Sequence, residues 1–414
     1  MVTPSPQSDS NSVVEAAPTA SDTTDSTAVE TPPSSADSSI VESGSRSWLY
    51  AVCALFAVYG LFATIDLLTI GFQLILGEQA EALLPLAVNP WLGLLLGILA
   101  TALVQSSSVV TALLVALVAG GLPIATAIPM VMGANLGTTV TNTLVSLGYI
   151  GDDAGFERGF AAATVHDCFN LLALIIFFPL ELLLHPLEKL THWIVAQNPS
   201  IQFLPANVTF PIDWLLQPSR WLTVYSVNKL PGPWDSLLLF STSVGGLMIA
   251  VTTLGWLMKQ WFDTPAQTAI RSITGHSSGI GGLAAGAGLT ALLQSSSMTT
   301  SLAVPLAGAG LVTLEDIYPF VLGTNIGTCI TALLATLAVN SPVALQLALV
   351  HLSYNSLAVF IIYSVRPLRL VPLTVAKKLA AITRRDRIFA VAYVIGVFFL
   401  LPFLALWLSL LAIA

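Results

Sequence analysis

Long apolar stretches separated by short polar segments make up most of the chain. About 20 consecutive apolar residues cross the hydrocarbon core of a bilayer as a helix. Seven stretches meet this length, at residues 48–76, 123–148, 159–184, 236–260, 315–338, 343–364 and 388–412. Two further stretches, 91–118 and 281–309, carry a polar cluster in the middle. We interpret these two as re-entrant hairpins of half-helices; ordinary spanning helices with central polar residues are the alternative.

The composition narrows the class of protein. Apolar residues are 55% of the chain and charged residues 9%, whereas a soluble domain carries about 25% charged residues. Acidic residues outnumber Lys and Arg by 22 to 14. These values exclude an ordinary soluble enzyme, a wholly disordered chain and a basic nucleic-acid binder. The bulk of the chain is therefore expected in a lipid bilayer.

The polar ends and loops predict an orientation. Residues 1–46 are rich in Ser, Thr, Pro and acids, which predicts a disordered tail. In the seven-crossing topology, eleven of the fourteen Lys and Arg residues fall on one side, which the positive-inside rule assigns to the cytoplasm. We therefore expect a multi-pass protein of the cell membrane. Its tail 1–46 and basic loop 366–387 are cytoplasmic, loop 185–235 is extracytoplasmic, and 388–414 is a last transmembrane helix.

Three motifs occur twice and in the same order, which indicates an internal duplication. The pairs are TALVQSSS and TALLQSSS, GANLGTTVT and GTNIGTCIT, and VHDCFNLLA and VHLSYNSLA. They define a first repeat at 47–184 and a second at 236–365. The predicted topology places three crossings between equivalent points, so the copies have opposite orientations. The predicted fold is an all-α integral membrane protein with two inverted-topology repeats, each with a re-entrant QSSS hairpin and about three crossings, plus a C-terminal helix; secondary transporters have this architecture.

The two QSSS clusters are candidate anion sites. Four successive polar residues in one continuous helix would face all directions, including lipid, so we expect a helix break there. A half-helix that starts at the serines offers free N–H groups, hydroxyls and a positive dipole end to an anion. The predicted phosphate-binding residues are Gln105, Ser106, Ser107, Ser108, Gln294, Ser295, Ser296 and Ser297. The alternative is that these serines only join neighbouring helices by hydrogen bonds.

The G-x-N-x-G-T motifs are candidate sodium sites. Glycines favour unwinding of the helix, and Asn and Thr oxygens with freed carbonyls suit Na+. The predicted ligands are Asn135, Thr138, Asn325 and Thr328. Close helix packing through small residues is the alternative use of these glycines.

Asp66 and Asp167 are acids inside apolar stretches, where a carboxylate is costly and a functional candidate. The second repeat keeps the His and Asn that flank Asp167, as His351 and Asn355, but has Leu352 in place of the acid. This asymmetry is expected of a cation site in one half. An interhelical hydrogen bond is the alternative for Asp66, and both histidines are interpreted as structural partners.

These motifs, together with ATVHDCFN, resemble the type II sodium–phosphate cotransporter family over residues 50–410. The resemblance implies Na+-driven, electrogenic uptake of inorganic phosphate by alternating access, with the QSSS residues lining the phosphate and sodium region. It implies Na+ roles for Asp167, beside the small residues Ala161 and Ala163, and for Asp152, Asn170 and Thr324. The implied partners are phosphate, Na+ and the bilayer, with no nucleic acid, no further cofactor and no enzymatic activity. The short loop 185–235, which has no Cys, departs from animal members and resembles a bacterial relative.

Three rival functions follow from the same residues. A Na+-coupled transporter of another oxyanion, such as arsenate or sulfate, would use the same half-helix ends. An intramembrane serine hydrolase would combine a serine with His166 and Asp167, although the second copy lacks the acid. A purely structural membrane protein is the third alternative.

Overall fold

The computed structural model describes residues 35–146, 151–197, 216–221, 234–276, 279–339 and 341–413, and these residues are almost entirely helical. The chain divides into two units, Met1–Trp48 and Leu49–Ala414, and all side-chain contacts below lie within the second. The helices are α1 (Ser35–Val88), α2 (Pro90–Val104), α3 (Ser107–Ala119), α4 (Ile124–Leu136), α5 (Val140–Ser146), α6 (Asp153–Leu184), α7 (Pro186–Gln197), α8 (216–221), α9 (Trp234–His276), α10 (Gly279–Leu293), α11 (Ser296–Gly308), α12 (Leu314–Val339), α13 (Pro342–Ser364), α14 (Arg366–Arg385), α15 (Ile388–Ile395) and α16 (Leu401–Ile413).

The predicted tail and outer loop fall largely outside this description. Residues 1–34 of the tail lie outside the described residues, and α1 begins within the remainder, at Ser35. Of loop 185–235, the structure describes α7, α8 and the first residues of α9.

Six helices are long and apolar enough to cross a membrane, as judged by length and composition within the described residues. They are Trp48–Ile75, Asp153–Leu184, Trp234–Trp261, Leu314–Val339, Pro342–Ser364 and Ile388–Ser409. Each corresponds to a predicted crossing. The seventh prediction, 123–148, is wrong as a continuous helix, because a 3₁₀ turn at Gly137–Thr139 separates α4 from α5. Gly and β-branched Thr have low helix propensity, which favours this local change.

Both polar clusters interrupt their helices, as predicted. In the first repeat α2 ends at Val104 and α3 starts at Ser107; in the second, α10 ends at Leu293 and α11 starts at Ser296. The first helix of each pair has 15 residues and the second has 13. At 1.5 Å per residue they are about 20–22 Å long. Each is shorter than the hydrocarbon core of about 30 Å.

The glycines of the G-x-N-x-G-T motifs serve close helix packing. A β-carbon on Gly133 would lie 2.1 Å from the carbonyl oxygen of Leu94, and one on Gly323 would lie 2.1 Å from that of Leu283. The backbones of α4 and α12 therefore touch those of α2 and α10, a contact that only small residues permit. The expected unwinding is absent from α12, which is continuous through its motif; in the first repeat it amounts to the 3₁₀ turn.

The second half-helix of each pair packs against the other repeat. Helix α3 contacts α12 and α13, and α11 contacts α5 and α6. The two QSSS turns, which begin α3 and α11, are thereby positioned at the boundary between the repeats. Helix α14 contacts α6.

Candidate functional site

The two QSSS turns have the same backbone geometry. Gln105 and Gln294 adopt left-handed conformations, with φ of 59° and 54°. The next residues are extended, Ser106 at φ −151° and Ser295 at φ −152°. A left-handed non-glycine residue costs roughly 1–2 kcal/mol. Strain of this kind, present at equivalent positions in both repeats, is typical of a functional constraint.

Side chains of the turn cap the helix ends on both sides of the break. The Ser106 hydroxyl oxygen accepts from the N–H of Val109 at 3.3 Å, and that of Ser295 accepts from Met298 at 3.2 Å. The amide nitrogens of Gln105 and Gln294 donate to carbonyls at the ends of α2 and α10. The break is thus stabilised by its own residues, in the same way in each repeat.

The half-helix starts present N–H groups and hydroxyls in a buried region. Helix geometry leaves the N–H groups of Ser107, Ser108, Ser296 and Ser297 without intrahelical acceptors. These four serines are between 2% and 7% exposed. The α2–α3 and α10–α11 sequences contain no Lys or Arg. Within these helices, only the dipoles and the N–H groups offer electrostatic attraction to an anion.

The second QSSS cluster contacts both repeats. The Ser297 hydroxyl donates to the carbonyl of Thr138 in the first repeat at 3.2 Å. The side-chain oxygen of Gln294 accepts from the hydroxyl of Thr331 at 2.8 Å. The structure therefore brings the predicted anion residues into direct contact with a G-x-N-x-G-T motif.

Asn135 of the first repeat forms hydrogen bonds with the His and Asn of the second. Its side-chain oxygen lies 3.1 Å from Nε2 of His351, and its amide nitrogen donates to the Asn355 oxygen at 2.5 Å. An amide oxygen only accepts, so Nε2 carries the hydrogen and donates.

Asn325 makes the same contacts in the opposite direction. Its oxygen lies 2.7 Å from Nε2 of His166, and its amide nitrogen donates to the Asn170 oxygen at 2.9 Å. Each repeat thus supplies an Asn to the His–Asn pair of the other. This exchange is what an approximate two-fold relation between the repeats produces, and it agrees with the interpretation of both histidines as structural partners.

The predicted threonine ligands form hydrogen bonds within their own helices. The hydroxyls of Thr138, Thr324 and Thr328 donate to the carbonyls of Ala134, Val321 and Thr324 at 3.0, 2.7 and 2.9 Å. All three threonines are at most 4% exposed. Their oxygens retain lone pairs that a cation can use.

Asp167 is buried, and its carboxylate is only half satisfied. It is 2% exposed, and its Oδ2 accepts from the hydroxyl of Tyr393 at 2.9 Å. Within the described residues its Oδ1 has no hydrogen-bond partner. The resemblance pairs this acid with Ala161 and Ala163, which are also buried on α6. A buried carboxylate oxygen without a partner is costly unless a cation compensates it.

Tyr393 and two threonines are further candidate site residues, which the sequence motifs alone did not identify. Tyr393 lies in α15, far along the chain from Asp167, and its only sequence signal is a phenol in an apolar stretch. Thr101 and Thr290 have buried hydroxyls without partners among the described residues, one turn before Gln105 and Gln294. Both threonines belong to the TAL-x-QSSS motif, and this repetition is the sequence feature that could have identified them as candidates.

Asp152 is not part of this buried cluster. It is exposed and is the N-cap of α6, where its carboxylate accepts from the N–H of Ala154 at 3.1 Å. The 15 residues of helix between Asp152 and Asp167 span about 22 Å. The structure therefore separates these two predicted sodium ligands.

Asp66 pairs with an arginine from the outer loop. The Nε and Nη2 atoms of Arg220, in α8, donate to the two Asp66 oxygens at 2.6 and 2.7 Å. Asp66 is 7% exposed. The contact supports the hydrogen-bond alternative for this acid, with an arginine as the partner.

Comparisons with known proteins identify the family of this chain. The profile of the Na+/Pi-cotransporter family matches residues 61–193 and 247–401, which contain all three motif pairs. The chain is 32% identical to Sodium-dependent phosphate transport protein 2B of Homo sapiens and of Pongo abelii, and 33% identical to protein 2A of Ovis aries. These alignments cover 85% of this chain, which spans 64% of the length of the 2B proteins and 66% of the 2A protein. No solved structure matches. The chain therefore belongs to the Na+/Pi-cotransporter family.

Proposed function

We propose that this protein is a sodium-coupled symporter of inorganic phosphate that works by alternating access in the cell membrane. The observation that carries the proposal is the pair of equivalent QSSS half-helix starts at the boundary between two repeats. Family membership and the sodium-dependent phosphate transport named for the relatives support it. A transport role requires no enzymatic residue and no cofactor beyond the co-transported Na+.

Phosphate binds, in this proposal, between the two half-helix starts. The N–H groups and hydroxyls of the serines donate to its oxygens, and the helix dipoles favour its negative charge. Since no cationic side chain lies in these half-helices, Na+ supplies the compensating charge. Phosphate affinity then depends on Na+, which is the physical basis of coupling.

The contacts of α10 and α11 support a hairpin that enters and leaves on one membrane face. At the end of α11 the Gly308 carbonyl accepts from Nη2 of Arg158 at 2.8 Å, near the start of α6. At the start of α10 a β-carbon on Gly279 would lie 1.6 Å from the hydroxyl of Tyr363, near the end of α13.

Helix α14 contacts both of these regions. The Arg369 guanidinium lies 4.2 Å from the centroid of the Tyr363 ring, and Arg384 donates to Glu157, in the first turns of α6, at 2.7 Å.

Contacts near the start of α12 support one level for both regions. The Tyr363 ring lies 6.4 Å from that of Tyr318 in α12. A β-carbon on Gly310, four residues before α12, would lie 3.5 Å from Arg158. We assign this level to the cytoplasmic face, together with the tail, from the distribution of basic residues.

The first hairpin has contacts at the opposite end of α6. The Trp91 ring, at the start of α2, packs against Phe178 with centroids 4.8 Å apart. Gly120, after α3, lies against Phe72 near the end of the first membrane-spanning helix. Hairpins that enter from opposite faces give an inverted repeat, and its binding site lies where they meet, near the bilayer midplane.

Asp167 is the proposed ligand of a Na+ that makes transport electrogenic. Its Oδ1, which has no hydrogen-bond partner in the part of the chain that the structure describes, supports a charge-bearing site. The equivalent position holds Leu352, which supports such a site in one half only. The buried Asn and Thr oxygens at Asn135, Thr138, Asn170, Thr324, Asn325 and Thr328 are the remaining proposed ligands. A role for Asp152 rests on the resemblance alone.

The test is uptake of radiolabelled phosphate into proteoliposomes of the purified protein, with inward Na+ compared with inward K+. Gln105→Ala and Gln294→Ala should reduce Na+-dependent uptake, while Gln346→Ala, which changes a buried Gln in α13, serves as the matched control. Normal uptake by both turn variants would overturn the site assignment. Transport of arsenate or sulfate with no transport of phosphate would keep the site and replace the substrate.

A further inference from the structure

Helix α14 is an amphipathic helix that connects two membrane-spanning helices. It runs from the end of α13 to the start of α15, both of which belong to candidate spans. One face is buried against the protein through Leu373, Ala376 and Ala380. The opposite side is exposed and faces away from the protein.

Three basic residues in or just beyond α14 form ion pairs with acidic residues of other helices. Lys377 pairs with Glu315 in α12, Arg384 with Glu157 in α6, and Arg387, just beyond α14, with Asp153. These pairs connect α14 and the residue just beyond it to the starts of α6 and α12. Their charges are neutralised within the protein.

Lys378 and Arg385 are different. Each follows a paired residue but is rotated by about 100° around the helix axis, away from the acids. The two are exposed, lie two turns apart on one side, and have no acidic partner among the described residues. Their separation along the axis is about 10 Å.

An exposed apolar row runs beside these two cations. Val371, Val375 and Ile382 are 41%, 45% and 49% exposed and fall within about 40° of one another around the helix. Lys378 and Arg385 lie next to this row, both on the same side of it. An apolar row edged by unpaired cations is the pattern of a helix at the bilayer interface, where basic residues attract anionic lipid.

We propose that Lys378 and Arg385 bind the phosphate group of an anionic phospholipid, with the apolar row in contact with its acyl chains. Charge complementarity and the adjoining apolar row favour a lipid over a soluble anion, which would make no use of the valines and isoleucine. The site lies on the outer surface of α14 and is separate from the QSSS turns. It does not depend on what the protein transports.

The test measures binding of dansyl-phosphatidylglycerol to the full chain in neutral detergent micelles, by energy transfer from the native tryptophans. Dansyl-phosphatidylcholine is the neutral comparison. The wild-type protein should prefer phosphatidylglycerol, and Lys378→Gln with Arg385→Gln should weaken its binding about 30-fold, from the typical contribution of each basic residue at a membrane surface. Binding should also weaken as salt is raised.

The matched control is Lys377→Gln with Arg384→Gln, which removes the same charge from the same helix at the paired positions. This variant should retain the preference for phosphatidylglycerol. Equal losses in both double variants would mean that only net charge matters, and unchanged binding in the first would overturn the site. Displacement of the lipid by millimolar inorganic phosphate would also overturn it, in favour of a soluble anion. Should a double variant misfold, Lys378→Gln and Arg385→Gln singly carry the test.

Discussion

Removal of one hydroxyl, in Tyr393→Phe, tests the proposed sodium site most directly. The Tyr393 hydroxyl donates at 2.9 Å to Oδ2 of Asp167. The substitution keeps the ring, whose edge contacts with Phe160 and Phe398 have centroid distances of 6.4 and 5.8 Å. The packing of α15 should therefore persist, and the change is confined to a donor for the carboxylate.

The expected loss of Na+ affinity follows from the kind of hydrogen bond that is removed. A hydrogen bond to a charged group contributes about 1.5–3 kcal/mol. Without it the carboxylate, which must be negative to bind Na+, is less stable in its buried position. Since about 1.4 kcal/mol corresponds to tenfold in affinity, we expect the apparent Na+ affinity to fall about 10-fold to 100-fold, with smaller changes in maximal uptake.

The assay is the Na+ dependence of phosphate uptake into proteoliposomes, with K+ as replacement and valinomycin to set the voltage. Asp167→Asn should remove the voltage dependence, and Tyr393→Phe should have no added effect on Na+ affinity in that background, because coupled residues are non-additive. Tyr59→Phe, the same change in α1, is the control. Additive effects of Tyr393→Phe and Asp167→Asn would refute the reasoning, as would unchanged Na+ affinity in Tyr393→Phe alone.

Three other predictions follow from the structure. Gly323→Ala should lower the melting temperature, because the new β-carbon meets the Leu283 carbonyl and overpacking costs about 1–3 kcal/mol. The control is Gly245→Ala, whose β-carbon would have no atom within 4 Å and should leave the melting temperature unchanged. Equal melting curves for the two variants would contradict the close contact at Gly323. Ser295→Ala should cost about 1 kcal/mol of stability through the lost N-cap, and a raised KM for phosphate would be its transport readout. Asp66→Asn should destabilise the protein by leaving Arg220 without a carboxylate, and the reversed pair Asp66→Arg with Arg220→Asp should recover part of the melting temperature.

The helix breaks could be predicted because their cause is local. Four consecutive polar residues cannot all avoid lipid on one continuous helix, so the interruption at Gln105 and Gln294 follows from the sequence itself. Six of the seven predicted crossings correspond to candidate spans, because the length and apolar composition of a segment are also local properties. The seventh fails at Gly137, where local propensity divides an otherwise sufficient apolar stretch.

Contacts between distant segments could not be predicted in this way. Tyr393 meets Asp167, and Arg220 meets Asp66, only because the packed helices bring them together. The predicted unwinding of α12 was wrong for the same reason. Gly323 allows the close approach of α12 to Leu283, and the local sequence does not distinguish a glycine with this role from one that unwinds a helix. Sequence reasoning therefore found the residue types but not their partners.

The two repeats share their buried polar residues but differ in one buried acid, and this difference bears on the proposed coupling of phosphate to Na+. The exchanged bonds of Asn135 and Asn325 and the equivalent turns at Gln105 and Gln294 give the two halves matching polar frameworks. Asp167 breaks this match, because the corresponding position holds Leu352. A symmetric framework of neutral donors suits an anion between the halves, whereas one fixed negative charge calls for a cation on one side. We therefore infer that the duplication supplies the proposed phosphate site and that the unduplicated Asp167 adds the charge that makes the proposed transport sensitive to voltage.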